Sequence, residues 1–210
     1  MKAVRQTIRI ILGLLLLLST NAFALAQVSP TDDQVAEGNT ISSARAKQLI
    51  AARARETILA LKRRDMAQLA GIVHPTKGVR FTPYNYIDVK EDLVFRRAQV
   101  KGLMASRKRY LWGSYDGSGD PIRLTFRKYY EQFVYDWDFA SDKDARYNVS
   151  ARTNTNYDNA YEVYPNSIIV EYLNPGTVES GMDWSALRLV FEKQGGTWYL
   201  VGVLHNEWTI

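Results

Sequence analysis

The first strong pattern along the chain is an apolar run from Ile10 to Leu18, interrupted only by Gly13 and preceded by Lys2, Arg5 and Arg9. It is too short for an ordinary transmembrane helix, which needs about 20 residues. Ala24-Leu25-Ala26 follows with the small-x-small spacing of a cleavage site, so residues 1–26 read as a secretory signal peptide with Gln27 as the new N-terminus. Residues 27–41 are polar and lack an apolar period. They read as a flexible tail ahead of a single domain over 42–210.

Within that domain, Ala46, Ile50, Ala54, Ile58 and Leu61 recur at helical spacing, with Ser42 or Ser43 as N-cap. Asp65 caps a short second helix with Met66, Leu69, Ile72 and Val73 inward, and His74-Pro75 stops it. A short strand follows at Val79–Thr82. The pattern then predicts a third helix from Asp88 to about Ser106, with Val89, Leu93, Val100, Leu103 and Met104 in the core. Tyr110–Tyr115 reads as a strand, and Thr125 as the cap of a helix over Phe126–Val134. Beyond it the pattern is β: Ala145–Ala151, Tyr161–Leu173, Trp184–Glu192 and Trp198–Leu204, the last pair joined by a turn at Gln194-Gly195-Gly196-Thr197. Helices first and antiparallel strands after them predict an α+β domain.

Composition changes this picture in two ways. The chain has no cysteine, which excludes disulfides, thiol nucleophiles, thiolate metal sites and a lipid anchor on cysteine. The formal charge of +5 invites a nucleic-acid partner. Losing Lys2, Arg5 and Arg9 with the leader leaves 24 basic against 22 acidic residues, a charge of +2. The apparent basicity is largely an export signal, and no nucleic acid is expected as a partner.

The block ETILALKRRDMAQLAGIVHP with the following GVRF, and the closing ALRLVFEKQGGTWYLVGVLHNEW, resemble the opening helices and last two strands of the NTF2-like (cystatin-like) superfamily. The resemblance is to uncharacterised exported bacterial members. It implies N-terminal helices packed in a strongly curved antiparallel sheet, a cone with an open mouth, and it transfers no functional residue.

The candidate chemistry is sparse. His74 sits at a helix end, where a histidine commonly caps carbonyls and interacts with the helix dipole. His205 is the candidate general base, with Glu207 or Asp183 as its carboxylate, in a small hydrolase or isomerase. The face it occupies is open, since it lies opposite Leu204. Asp116-Gly117-Ser118-Gly119-Asp120 opens like a calcium loop, but Pro121 and Arg127 stand where an EF-hand needs Gly and Glu, so a turn is expected. Asp136/Asp138 and Asp142/Asp144 read as loop carboxylates. Asn148-Val149-Ser150 is a formal glycosylation acceptor.

Aromatic density is the leading functional signal: Tyr129, Tyr130, Phe133, Tyr135, Trp137 and Phe139 fall within eleven residues. Such rings build either a core or a binding surface. The leading expectation is an exported, periplasmic or extracellular binding module without catalysis or cofactor. Tyr115, Tyr130, Tyr135, Trp137 and Trp184 would line its cone for a small ligand, a wall glycan or a partner protein. No membrane association is expected once the leader is cleaved. The third reading is a homodimer formed through an apolar patch on the outer sheet.

Overall fold

The computed structural model describes residues 41–150, 158–177 and 181–208. The expected signal peptide and nearly all of the polar tail lie outside these residues. Helix α1 (Ser43–Lys62) starts where the Ser42 side chain accepts the Arg45 amide. Its apolar stripe Ala46, Ile50, Ala54, Ile58 and Leu61 is fully buried. Asp65 caps α2 (Met66–Ile72) by accepting the Gln68 amide at 2.9 Å. Strand β1 (Val79–Thr82) follows.

The expected third helix is largely replaced. Leu93–Phe95 forms strand β2, antiparallel to β1, and only Arg97–Gly102 forms an α-helix, α3, followed by a 3-10 turn at Leu103–Ala105. Val89, expected in the core, is 56% exposed, whereas Val100 and Leu103 are buried. Pairing with β1 outweighs the local helical period here, as tertiary context commonly does for short segments.

Strands β3 (Arg109–Ser114) and β4 (Pro121–Thr125) form a separate two-stranded sheet. The Asp116–Asp120 segment turns between them: the Tyr115 amide donates to Asp120 O and the Gly119 amide to Tyr115 O. Thr125 caps α4 (Phe126–Phe133) as expected. The Ala145–Ala151 strand shrinks to β5 (Arg146–Tyr147). The Tyr161–Leu173 segment divides into helix α5 (Ala160–Val163) and strand β6 (Ser167–Asn174). Strands β7 (Ser185–Gln194) and β8 (Thr197–Glu207) make the closing hairpin.

The main sheet has six strands in the order β2-β1-β8-β7-β6-β5. It is mixed and not wholly antiparallel as expected, because β1 runs parallel to β8 through Arg80↔Gly202 to Thr82↔Leu204. A parallel neighbour needs a long connection, and everything between the two strands supplies it. One face carries Ile168, Val170, Leu187, Leu189 and Phe191, which join the apolar residues of α1, α2 and α4 in the main core. The opposite face carries Ile169, Val190, Val201 and Leu204 under Ile87, Ala160, Tyr161 and Tyr164. Strand β7 is therefore buried through Glu192, with none of the polar-out alternation of a solvated sheet. The apolar outer patch required by the dimer reading is, in this region, covered by the chain's own α5 and the segment before β2.

A charge buried on that second face is compensated. Arg188 pairs with Asp158 at 2.8 Å and donates to Asn85, while its cross-strand partner Glu171 lies 3.8 Å away.

Candidate functional site

A bulge on β8 decides which way His205 points. Val190 pairs with Gly202 and Phe191 with Leu200, so Val201 is the extra residue. From Leu200, a core-facing residue, strict alternation would send His205 to the far face. The bulge reverses the parity, and Val203 and His205 return to the α1 side, His205 opposite Leu187. There the imidazole meets Phe133 edge-on, centroids 5.7 Å apart. It has no solvent exposure, and neither ring nitrogen has a well-aligned hydrogen-bond partner.

The carboxylate beside His205 is Asp136, with Oδ1 3.4 Å from Nε2. Asp136 Oδ2 accepts the Ser185 hydroxyl at 2.7 Å. Burial pushes this carboxyl up, but the His205 ring and the Ser185 hydroxyl outweigh it and hold it below its ordinary range. Glu207 shares the strand face with His205, and burial together with the negative charges of Asp136 and Asp116 pushes its carboxyl up. Asp183 accepts the Thr177 amide and hydroxyl, both at 2.7 Å, so these bonds tie it to a loop. Of the two carboxylates expected beside His205, Glu207 is in its electrostatic range, but the direct contact belongs to Asp136.

The aromatic candidates do not line one mouth. Tyr130 is buried, donates its hydroxyl to Leu61 O and stacks against Tyr135, with the Arg64 guanidinium over its ring. Tyr135 donates to Asp138 at 2.8 Å, and Trp137 packs against Phe139. These three belong to a cluster beside the end of α1, where Lys62 also reaches Asp138. Trp184 is buried at the start of β7. Tyr130 and Trp184 are thus packing residues, because apolar burial absorbed the rings expected at an opening. Tyr115 is half-buried against Phe133, near Tyr84.

Two other expectations resolve locally. The His74 ring accepts the Lys77 amide at 3.1 Å, so it organises the turn after α2 instead of capping carbonyls. Asn148 is buried, donating to Ile41 O and accepting from Tyr161 and the Ile169 amide. It is unavailable as a glycosylation acceptor.

An open concavity lies around Tyr84, with a volume of about 510 Å³. Tyr84 and Tyr86 form its aromatic wall with the buried Trp112 beneath, and Asp88, Glu91, Asp92 and Asp116 bring four carboxylates to it, with no lysine or arginine in the lining. The Tyr84 hydroxyl accepts the Asp116 amide at 3.0 Å, fixing the β3–β4 turn to the wall. Arg80 holds the Asp88–Asp92 segment from below, donating to the backbone carbonyls of both residues at 3.3 and 3.2 Å. Asp92 accepts the Asp88 amide, yet its burial dominates and pushes its carboxyl up to about 7. Trp112 is clamped from behind by Tyr129, stacked at 3.7 Å, and its indole N–H donates to Leu124 O. Of these lining residues, sequence pattern singles out Asp116, in the calcium-like loop; Asp88, Glu91 and Asp92 fall in the expected third helix and Trp112 in an expected strand, and only the fold brings them to one concavity. Among the described residues, no group of three or more His, Asp or Glu side chains is placed to hold a metal ion.

No family model matches the chain, and no curated protein matches it. Among solved structures, it is similar to one described as a calcium/calmodulin-dependent protein kinase II association domain from Xanthomonas campestris, at 15% identity and a TM-score of 0.33, covering 75% of this chain and 84% of that one.

Proposed function

We propose that this chain is an exported, non-catalytic binding module of NTF2-like architecture that holds a small ligand in the cleft around Tyr84 and Trp112. The observation that carries the reading is the contrast between two places. The cleft is open and concave and presents Tyr84 and Tyr86 above the buried Trp112, with apolar and aromatic surface of the kind small-molecule sites use. His205 is closed off, so no reacting group reaches its ring. The architecture is supported by the succession of long helix, Asp65-capped short helix and strand, and by the final β7–β8 hairpin. Export is supported by the tripartite pattern of residues 1–26. The reading is tested by calorimetric titration with small molecules and wall fragments. Binding that is lost in Tyr86→Ala, an exposed wall residue, supports it. Binding that ignores Tyr86 and Tyr84 overturns it. N-terminal sequencing of the protein from the extracytoplasmic fraction should begin at Gln27.

The enzyme alternative draws on one observation, the His205–Asp136 contact. It requires His205 to become accessible: reaction with diethyl pyrocarbonate at His205 in the folded protein would revive it, and protection would end it.

A further inference from the structure

Without the expected leader the chain is nearly balanced at +2, yet the lining of the cleft contains four carboxylates and no cationic side chain. The Arg80 guanidinium acts on Asp92 through its charge, but its hydrogen bonds in this region go to the carbonyls of Asp88 and Asp92 and to the Tyr164 hydroxyl, and it makes no ion pair with a lining carboxylate. Glu91 and Asp116 are exposed at the rim, while Asp92 is partly buried in the wall. Aromatic faces beside carboxylates are the surroundings that favour an organic cation: the rings attract it through their quadrupoles and the acids through their charge.

A second observation comes from beneath the wall. Tyr129 lies flat against Trp112 with no solvent exposure, and its hydroxyl has no partner. That hydroxyl is close enough to Asp92 and Tyr84 for their charges to act on it. Buried hydroxyls are nearly always hydrogen-bonded, so an unpaired one within electrostatic reach of Asp92 marks the back of the cleft wall as a place for a buried water, although Tyr129 itself is not among the lining residues. The symmetric alternative, a metal ion, lacks the clustered ligands it would need.

We infer that the cleft selects a small organic cation, an ammonium or guanidinium compound, held against Tyr84 and Tyr86 above the buried Trp112 and neutralised by Asp88, Glu91 and Asp116. This rests on the binding-module reading and adds the chemical class of its ligand. It predicts discrimination by charge between molecules of equal shape.

The test is isothermal calorimetry on the full exported protein with four probes: choline, spermidine, the neutral choline isostere 3,3-dimethylbutan-1-ol, and a neutral N-acetylglucosamine trimer. Choline or spermidine should bind at least about tenfold tighter than either neutral probe, and the preference should shrink as salt rises. The double variant Glu91→Gln/Asp116→Asn changes only exposed side chains and should weaken the cation about tenfold. If a neutral probe binds as tightly as the cations and the double variant binds it normally, the cation inference falls and the module reading stands. Cation binding indifferent to the double variant also overturns the inference. If none of the four probes binds at millimolar concentration, the cleft reading falls with it.

Discussion

Asp136 Oδ1 stands 3.4 Å from His205 Nε2, while Ser185 occupies the other carboxylate oxygen. Asp136 comes from the loop after α4, His205 from the bulged strand β8 and Ser185 from the start of β7. The contact therefore ties a loop to the central hairpin. Because its carboxyl is held low in the folded state, its stabilisation is present above the usual carboxylate range and is lost as pH falls through the folded value. Asp136→Asn should cost about 1–3 kcal/mol at pH 7. In urea denaturation, the gap between variant and wild type should close below about pH 4.

Glu207 should behave with the opposite sign. Its folded carboxyl is raised by burial and by Asp136 and Asp116, so the stability it contributes is full at low pH and is lost as pH rises through the folded value. Glu207→Gln should be more stable than wild type at pH 7, with the gain vanishing on acidification to pH 4. A loss of stability at pH 7 would show that Glu207 has a compensating partner.

Asp92 gives a cleaner titration because its carboxyl is pushed up to about 7. Wild-type stability should decline from about pH 4 to about pH 7, and level off above, by more than that of Asp92→Asn, whose side-chain oxygen still accepts the Asp88 amide. The same titration followed by NMR on a carboxyl-labelled protein should place the Asp92 midpoint near 7.

Tyr129→Phe removes a buried hydroxyl without a partner and keeps the ring stacked on Trp112. The ligand-free variant should gain about 1 kcal/mol in chemical denaturation. A loss would mean that the hydroxyl is already satisfied by water.

Gly78 occupies positive φ at +79°, and a Cβ there would stand 2.7 Å from Phe95 O. Gly78→Ala should cost about 2–4 kcal/mol, from left-handed strain plus the clash with the neighbouring strand. Its thermal midpoint reports this directly, because the backbone of β2 must move to relieve it.

The elements whose instructions are local were readable in advance. Ser42, Asp65 and Thr125 each announce a helix that forms, and Gly195-Gly196 announces the closing turn. Elements that depend on a distant partner were not. Leu93–Phe95 becomes a strand only because β1 lies alongside, and nothing in its own residues indicates that. The same holds for the candidate sites. His205 and Asp136 were both visible as titratable groups, but one extra residue at Val201 decides that they face one another. Counting aromatics could not separate the rings consumed by packing, such as Tyr130, from those left at a surface, such as Tyr86. Acids at 88, 91 and 92 acquire meaning only when the β3–β4 turn brings Asp116 to the same concavity.

The position of β8 has a consequence for how this chain is born. The last described strand sits inside the sheet, between the first strand and β7, and it carries the parallel pairing to β1. Until residues near 200 have emerged, nothing joins the β1–β2 pair to β7, and α2 lacks the strand that its following residues meet at Leu200. Assembly of the sheet must therefore wait for residues near 200, and the loop closed between β1 and β8 is long and slow. A chain cut before Thr197 would lose β8, and with it the strand that joins the β1–β2 pair to the rest of the sheet.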